Sequence, residues 1–213
     1  MNEEQAILEF FAKTENLSLG LCVAEQMDKL REQMNNRFWM ELLSRLETLI
    51  EEQGLTLHFE PTEDRNAPDY LVGLHCSTGT EQSPCLLPIV EQQYLGGDWR
   101  IYFGLMWSSA PSREQLGVAA VSSLRTSLKK AGYKSNENFL AWQWTLLYPR
   151  RKDFLLRYAN RPGQVLDEME AILKKLLIDH GTAITQVNEA LRTIASRSLH
   201  ASLNQLRKEL LDD

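Results

Sequence analysis

The chain has 213 residues and a formal net charge of -6, with 43% hydrophobic and 24% charged side chains. That length and composition fit one globular domain, or one domain with a helical extension, with enough apolar side chains for a packed core. No apolar run approaches the ~18 residues of a membrane-spanning helix, and the acidic start Met1-Asn2-Glu3-Glu4 lacks the parts of a secretory signal, so a cytoplasmic protein is expected.

A short helix is predicted from Glu3 to Lys13, with Ile7, Leu8, Phe10 and Phe11 turned inward, then a capped turn over Thr14 to Asn16. A long amphipathic helix follows from about Leu17 to Gln53. Its apolar positions Ala24, Met27, Leu30, Met34, Phe38, Leu42, Leu46, Leu49 and Ile50 recur in steps of three and four. No proline interrupts it, and Gly54 sits where a C-terminal cap belongs. Phe38 and the adjacent Trp39 point about 100° apart, and Phe38 is expected to pack on the sheet.

Beyond Gly54 the period changes to two. Leu55 to Phe59, Tyr70 to Cys76, Leu86 to Tyr94 and Arg100 to Trp107 read as four strands joined by short connections, hence an antiparallel meander. Pro88 places the third of them at an edge or a bulge. Ser112 can cap a helix that runs through Lys130 to Gly132. The aromatic run Asn138 to Tyr148 reads as a strand-like segment packed on the sheet, and Pro149 ends it. A helical turn over Arg151 to Tyr158 precedes helices from Pro162 to about Asp179 and from Gly181 to about Leu211. The fold class is therefore α+β: a four-stranded, mainly antiparallel sheet flanked by long helices, with a helical C-terminal arm. The division expected is 1–160 for the α+β domain and 161–213 for a helical hairpin or arm. Broad apolar stripes run through Val165, Leu166, Met169, Ile172, Leu173, Leu176 and Leu177 and from Ile184 to Leu210. They can bury each other as a hairpin, yet their width points to an association surface, so a homo-oligomer or protein partner is expected.

Candidate chemistry is sparse. Cys22 reads as a small core residue on the long helix. Cys76 and Cys85 lack CxxC spacing and read as buried thiols rather than half a metal site with His75. His58 and His75 fall on neighbouring strands without a clear third ligand, so no metal is assigned. Neither a phosphate-binding Gly-Lys-Ser/Thr loop nor a Gly-x-Ser-x-Gly elbow is present. Charge is uneven. Residues 1–98 carry 18 acidic against 6 basic side chains, and residues 113–161 carry 10 basic against 3 acidic. Arg125, Lys129 and Lys130 share part of a helix face, and Arg150-Arg151-Lys152 follows Trp142, Trp144 and Tyr148. Clustered cations beside aromatics suit phosphate contact with base stacking. The plainer account makes the Trp residues core and pairs the bases with the acidic long helix.

Three segments carry a family resemblance: Glu15-Asn16-Leu17 with Ala24-Glu25-Gln26-Met27 and Asn35-Asn36-Arg37-Phe38-Trp39-Met40-Glu41-Leu42, then Ile101-Tyr102-Phe103-Gly104-Leu105, then Trp142-Gln143-Trp144. Together, over roughly residues 1–160, they resemble the region that follows the nuclease core in PD-(D/E)XK nuclease superfamily proteins. The resemblance implies a non-catalytic, nuclease-associated interaction module in a multi-component complex, of a kind found in defence against foreign DNA. The alternative is a nucleic-acid-binding or degenerate PD-(D/E)XK nuclease domain. Asp69 after Pro68, Glu91 on the next strand, and Gln93 where the Lys should stand are its degenerate candidates, and Mg²⁺ enters only under that alternative. The plainer account makes Asp69 a turn residue and Glu91 a solvated strand residue.

Overall fold

The computed structural model describes residues 2–62, 66, 72–77, 85–95 and 98–209, with side chains to residue 195 apart from that of Leu95. Asn2 caps helix α1, Glu3–Phe11, by accepting from the Glu4 N–H. Helix α2, Thr14–Glu52, is 39 residues long and already includes the positions expected in a turn. Asn16 on its first turn donates to the Phe10 carbonyl at 3.0 Å and so folds α1 back along it. Gly54, at φ 60°, ends the helix as the sequence predicts.

Only the C-terminal half of α2 enters the core. Phe38, Trp39, Leu42, Leu43, Leu46, Leu49 and Ile50 are buried, whereas Met27 and Leu30, on the same predicted stripe, are 40% and 44% exposed. Cys22, expected in the core, is exposed as well. The aromatic pair anchors this half of the helix. Phe38 meets the rings of Phe154 and Tyr158, with centroids 5.4 and 5.8 Å away. Trp39 reaches the sheet, donating its indole N–H to Gln92 at 3.1 Å.

The sheet has five strands in the order β1-β2-β3-β4-β5, each pair antiparallel. They are β1, His58–Pro61; β2, Val72–Ser77; β3, Leu86–Leu95; β4, Asp98–Trp107; and β5, Phe139–Trp144. The expected four-stranded sheet is thus one strand short. The aromatic run at 139–144 pairs with β4 from Tyr102↔Trp144 to Met106↔Phe139 instead of lying on it. Gly104 permits that pairing, because a Cβ there would lie 2.2 Å from the Ala141 carbonyl oxygen. The first strand begins at His58, later than expected, with Leu55 and Leu57 spent on the turn out of α2 and packed against the core. Pro88 is on an interior strand, but the β2–β3 ladder stops at His75↔Ile89. Just past it, the Asn188 side chain exchanges hydrogen bonds with the Leu86 N–H and carbonyl at 2.8 and 3.1 Å.

Between β4 and β5 the predicted single helix is two. Ser112 forms a reciprocal capping box with Gln115 at the start of α3, Arg113–Leu116, and the chain restarts after Gly117 as α4, Ala119–Lys130. Helix α5, Lys152–Asn160, is followed by α6, Pro162–Lys174, a π-helical turn at Lys175–Asp179, and α7, Gly181–Glu209. One apolar cluster joins Phe38, Leu46, Val90, Phe103 and Leu140 to Val165, Met169, Leu176, Val187 and Leu191, so the core is continuous across residue 160. Among the described residues no helix is long and apolar enough to cross a membrane.

Candidate functional site

Strand alternation fixes which side chains share a surface. Along β4, Ile101, Phe103 and Leu105 join the helix-covered core, so Arg100, Tyr102 and Gly104 take the opposite, outer face. On that face Glu91 of β3 is only 1% exposed. The Tyr102 hydroxyl donates to its Oε2, and His75 Nε2 lies 2.6 Å from its Oε1. Register explains the cluster: Glu91 faces Tyr102 on one side and Gly73 on the other, and side-chain-free Gly73 leaves the diagonal open to His75 two residues on. The hydrogen bond to Glu91 raises the His75 pKa above its ordinary value despite partial burial. Burial, then the Glu91 charge, keeps the Tyr102 hydroxyl protonated far above its ordinary range.

The degenerate nuclease candidates are placed unevenly. Asp69 lies outside the described residues. Glu91 is buried instead of solvated, with both oxygens already engaged by His75 and Tyr102, so a cation would have to displace both. Gln93 is exposed and pairs in register with Arg100. Purified chain incubated with Mg²⁺ is therefore expected to leave DNA intact. Metal-dependent cleavage that vanishes in both Asp69→Ala and Glu91→Ala would reverse that reading. His58 and His75 do not converge: His58 faces Glu60, at 3.9 Å, and His75 faces Glu91. Burial lifts the Cys76 thiol to about 11, which leaves it unreactive.

The cations separate into two groups. Arg125, Lys129 and Lys130 belong to α4, which packs against α7 and β5. Lys129 and Lys130 are exposed in its last turn, where positive charge suits the helix C-terminus. Arg150, Arg151 and Lys152 follow β5. Arg150 lies 3.9 Å from Glu32 of α2 and 5.9 Å from the Trp99 ring, so for this residue the pairing of bases with the long acidic helix holds. Arg151 pairs with Asp98 and lies 3.8 Å from the Tyr148 ring centre. Lys152 is exposed at the start of α5.

Sequence reasoning missed two members of this surface, Arg100 and Lys134. Arg100 sits 5.2 Å from the Trp144 ring and 5.3 Å from Tyr148, held by its Nε donating to the Thr145 carbonyl. Lys134 sits 5.4 Å from the Trp142 ring, placed there by a bridge between its backbone and that of Trp142. Trp142 and Trp144 meet edge to face at 5.6 Å and both meet Tyr102. The aromatic run that forms β5 was legible as a signal, but its register against β4 was not.

A second surface is the arm formed by α1 and residues 14–33 of α2. Ile7, Leu8, Leu17, Leu19 and Leu21 leave between 50% and 65% of their area in water. On soluble proteins large exposed apolar patches coincide with interaction sites, ligand grooves or aggregation-prone surfaces. By contrast, the C-terminal stripe expected to associate is spent inside the chain as far as Leu191, and the side chains from Leu199 to Leu210 are outside those described. Comparison with known proteins finds no matching family model, no matching curated protein and no matching solved structure.

Proposed function

We propose that this chain is a non-catalytic interaction module that pairs with a second copy of itself through its N-terminal arm. One observation carries the reading: Leu19, Val23, Met27 and Leu30 are 54%, 43%, 40% and 44% exposed and recur in steps of four, four and three. That spacing is one helix face. Read in reverse it is nearly the same pattern, so a two-fold axis between residues 24 and 25 sets Leu19 opposite Leu30 and brings Val23 to within one residue of facing Met27 of the other copy. This is the self-complementary geometry of an isologous interface. Residues 14–33 span ~30 Å of helix, and α1 widens the surface toward the roughly 800 Å² per partner of a standard interface. The resemblance to a region beside PD-(D/E)XK nuclease cores supplies a setting, a paired module in a complex directed against foreign DNA.

Light scattering at tens of micromolar is expected to give about twice the 24.5 kDa chain mass. The double substitution Leu19→Lys, Met27→Lys should return the monomer while the body keeps its unfolding midpoint, because neither residue touches the core. A wild-type chain that stays monomeric at that concentration would end this reading.

A further inference from the structure

We propose that the β4–β5 half of the outer sheet face binds single-stranded nucleic acid, through Arg100, Lys134, Trp142, Trp144, Tyr148 and Arg151. None of these residues belongs to the arm.

The rings are arranged as a platform. Trp142 and Trp144 alternate onto one face of β5, partly exposed, with Tyr102 buried between them as a support. A cation accompanies each exposed ring: Lys134 on Trp142, Arg100 on both Trp144 and Tyr148, Arg151 on Tyr148. Among the described residues neither Arg100 nor Lys134 has a carboxylate partner, so both charges are available to an anion; Arg151 is shared with Asp98. A ligand that places negative charge at each step and a flat ring between steps matches this order of groups. A single strand supplies both, since its bases are free to meet aromatic and guanidinium planes. A duplex does not, because its bases are stacked inside. Arg125, Lys129 and Lys130 are on α4 and lie outside the platform.

Three cations predict three phosphate contacts and, at about -0.7 per contact for single strands, a slope of about -2 in log K against log salt. The test uses fluorescence anisotropy of labelled oligo-dT, oligo-U and a duplex of equal length, from about 50 to 200 mM salt, with tryptophan emission followed in parallel. Expected are binding of the single strands over the duplex, that slope, and a change in tryptophan emission on binding. Preference between oligo-dT and oligo-U separates DNA from RNA as the source, and either supports the proposal. The double variant Arg100→Ala, Lys134→Glu should weaken binding about tenfold, while Lys174→Glu, on α6, should not. A circular-dichroism melt of each variant separates lost binding from lost fold. Four results would each overturn the proposal: no single-strand binding at about 50 mM salt, equal or tighter binding of the duplex, affinity indifferent to Arg100 and Lys134 in a folded variant, or binding with unchanged tryptophan emission.

Discussion

Replacing Phe38 with Ala is expected to lower the unfolding free energy by about 3–5 kcal/mol, the range for deleting a fully buried aromatic ring. Phe38 is 0% exposed. It sits among three rings, Trp39 at 5.3 Å, Phe154 at 5.4 Å and Tyr158 at 5.8 Å, all edge to face. Such pairs contribute roughly 0.5–1.5 kcal/mol each beyond area burial, and the cavity would lie between α2 and α5, held apart by the rest of the core. Phe10→Ala is the comparison. That ring is 49% exposed on the arm, and its loss should stay within about 0.5 kcal/mol in the monomer. Equal denaturation midpoints for Phe38→Ala and wild type would remove the claim that this ring anchors α2.

Glu91→Ala is expected to cost about 2–4 kcal/mol. The Tyr102 hydroxyl, in a residue only 5% exposed, loses its acceptor, and an unsatisfied buried donor costs about 1–3 kcal/mol before the cavity is counted. The His75 part is smaller, because that imidazole is 46% exposed and solvent screens it. His75 also gives the effect a pH signature. Its pKa is raised in the folded state, so the fold holds a proton more tightly than the unfolded chain does. The associated stability is fully present below the ordinary value near 6.5 and is lost as pH rises through the higher folded value. Tyr102 remains a donor throughout that window. In Glu91→Gln the carbonyl can still accept from Tyr102, but the charge on His75 has no partner. Urea midpoints of wild type and Glu91→Gln should therefore be furthest apart below the ordinary imidazole value and converge as pH rises through the higher folded one. A gap that does not change with pH would show that His75 and Glu91 do not share a proton-linked interaction.

Local patterns were legible wherever one face of an element is wet and the other dry. The C-terminal half of α2, the β3–β4 hairpin and the Ser112 cap follow from spacing alone. β5 was harder to read, because Phe139-Leu140-Ala141-Trp142-Gln143-Trp144 has large apolar residues on both faces and its partner β4 ends more than thirty residues earlier. Glu91-Gln92-Gln93 shows the opposite failure. Three consecutive polar residues signal a solvated strand, yet Glu91 and Gln92 are buried and serve His75, Tyr102 and Trp39 across three other elements. Pairings of that kind depend on register, which no single segment encodes. Periodicity likewise marked Met27 and Leu30 as an apolar face without saying what covers it, and the core does not.

Helix α2 consequently contains two energetic regimes in one unbroken backbone. From Phe38 to Ile50 its amides can open only when the whole core opens. From Thr14 to about Leu30 they are held by helix propensity and α1 alone, and a helical segment of that length is marginal in water. Amide exchange along the one helix therefore spans the distance from near-zero protection to global stability. Whatever seats on the arm lengthens the cooperative part of the helix, and the free energy of that seating is read directly as protection gained at Leu19 to Leu30.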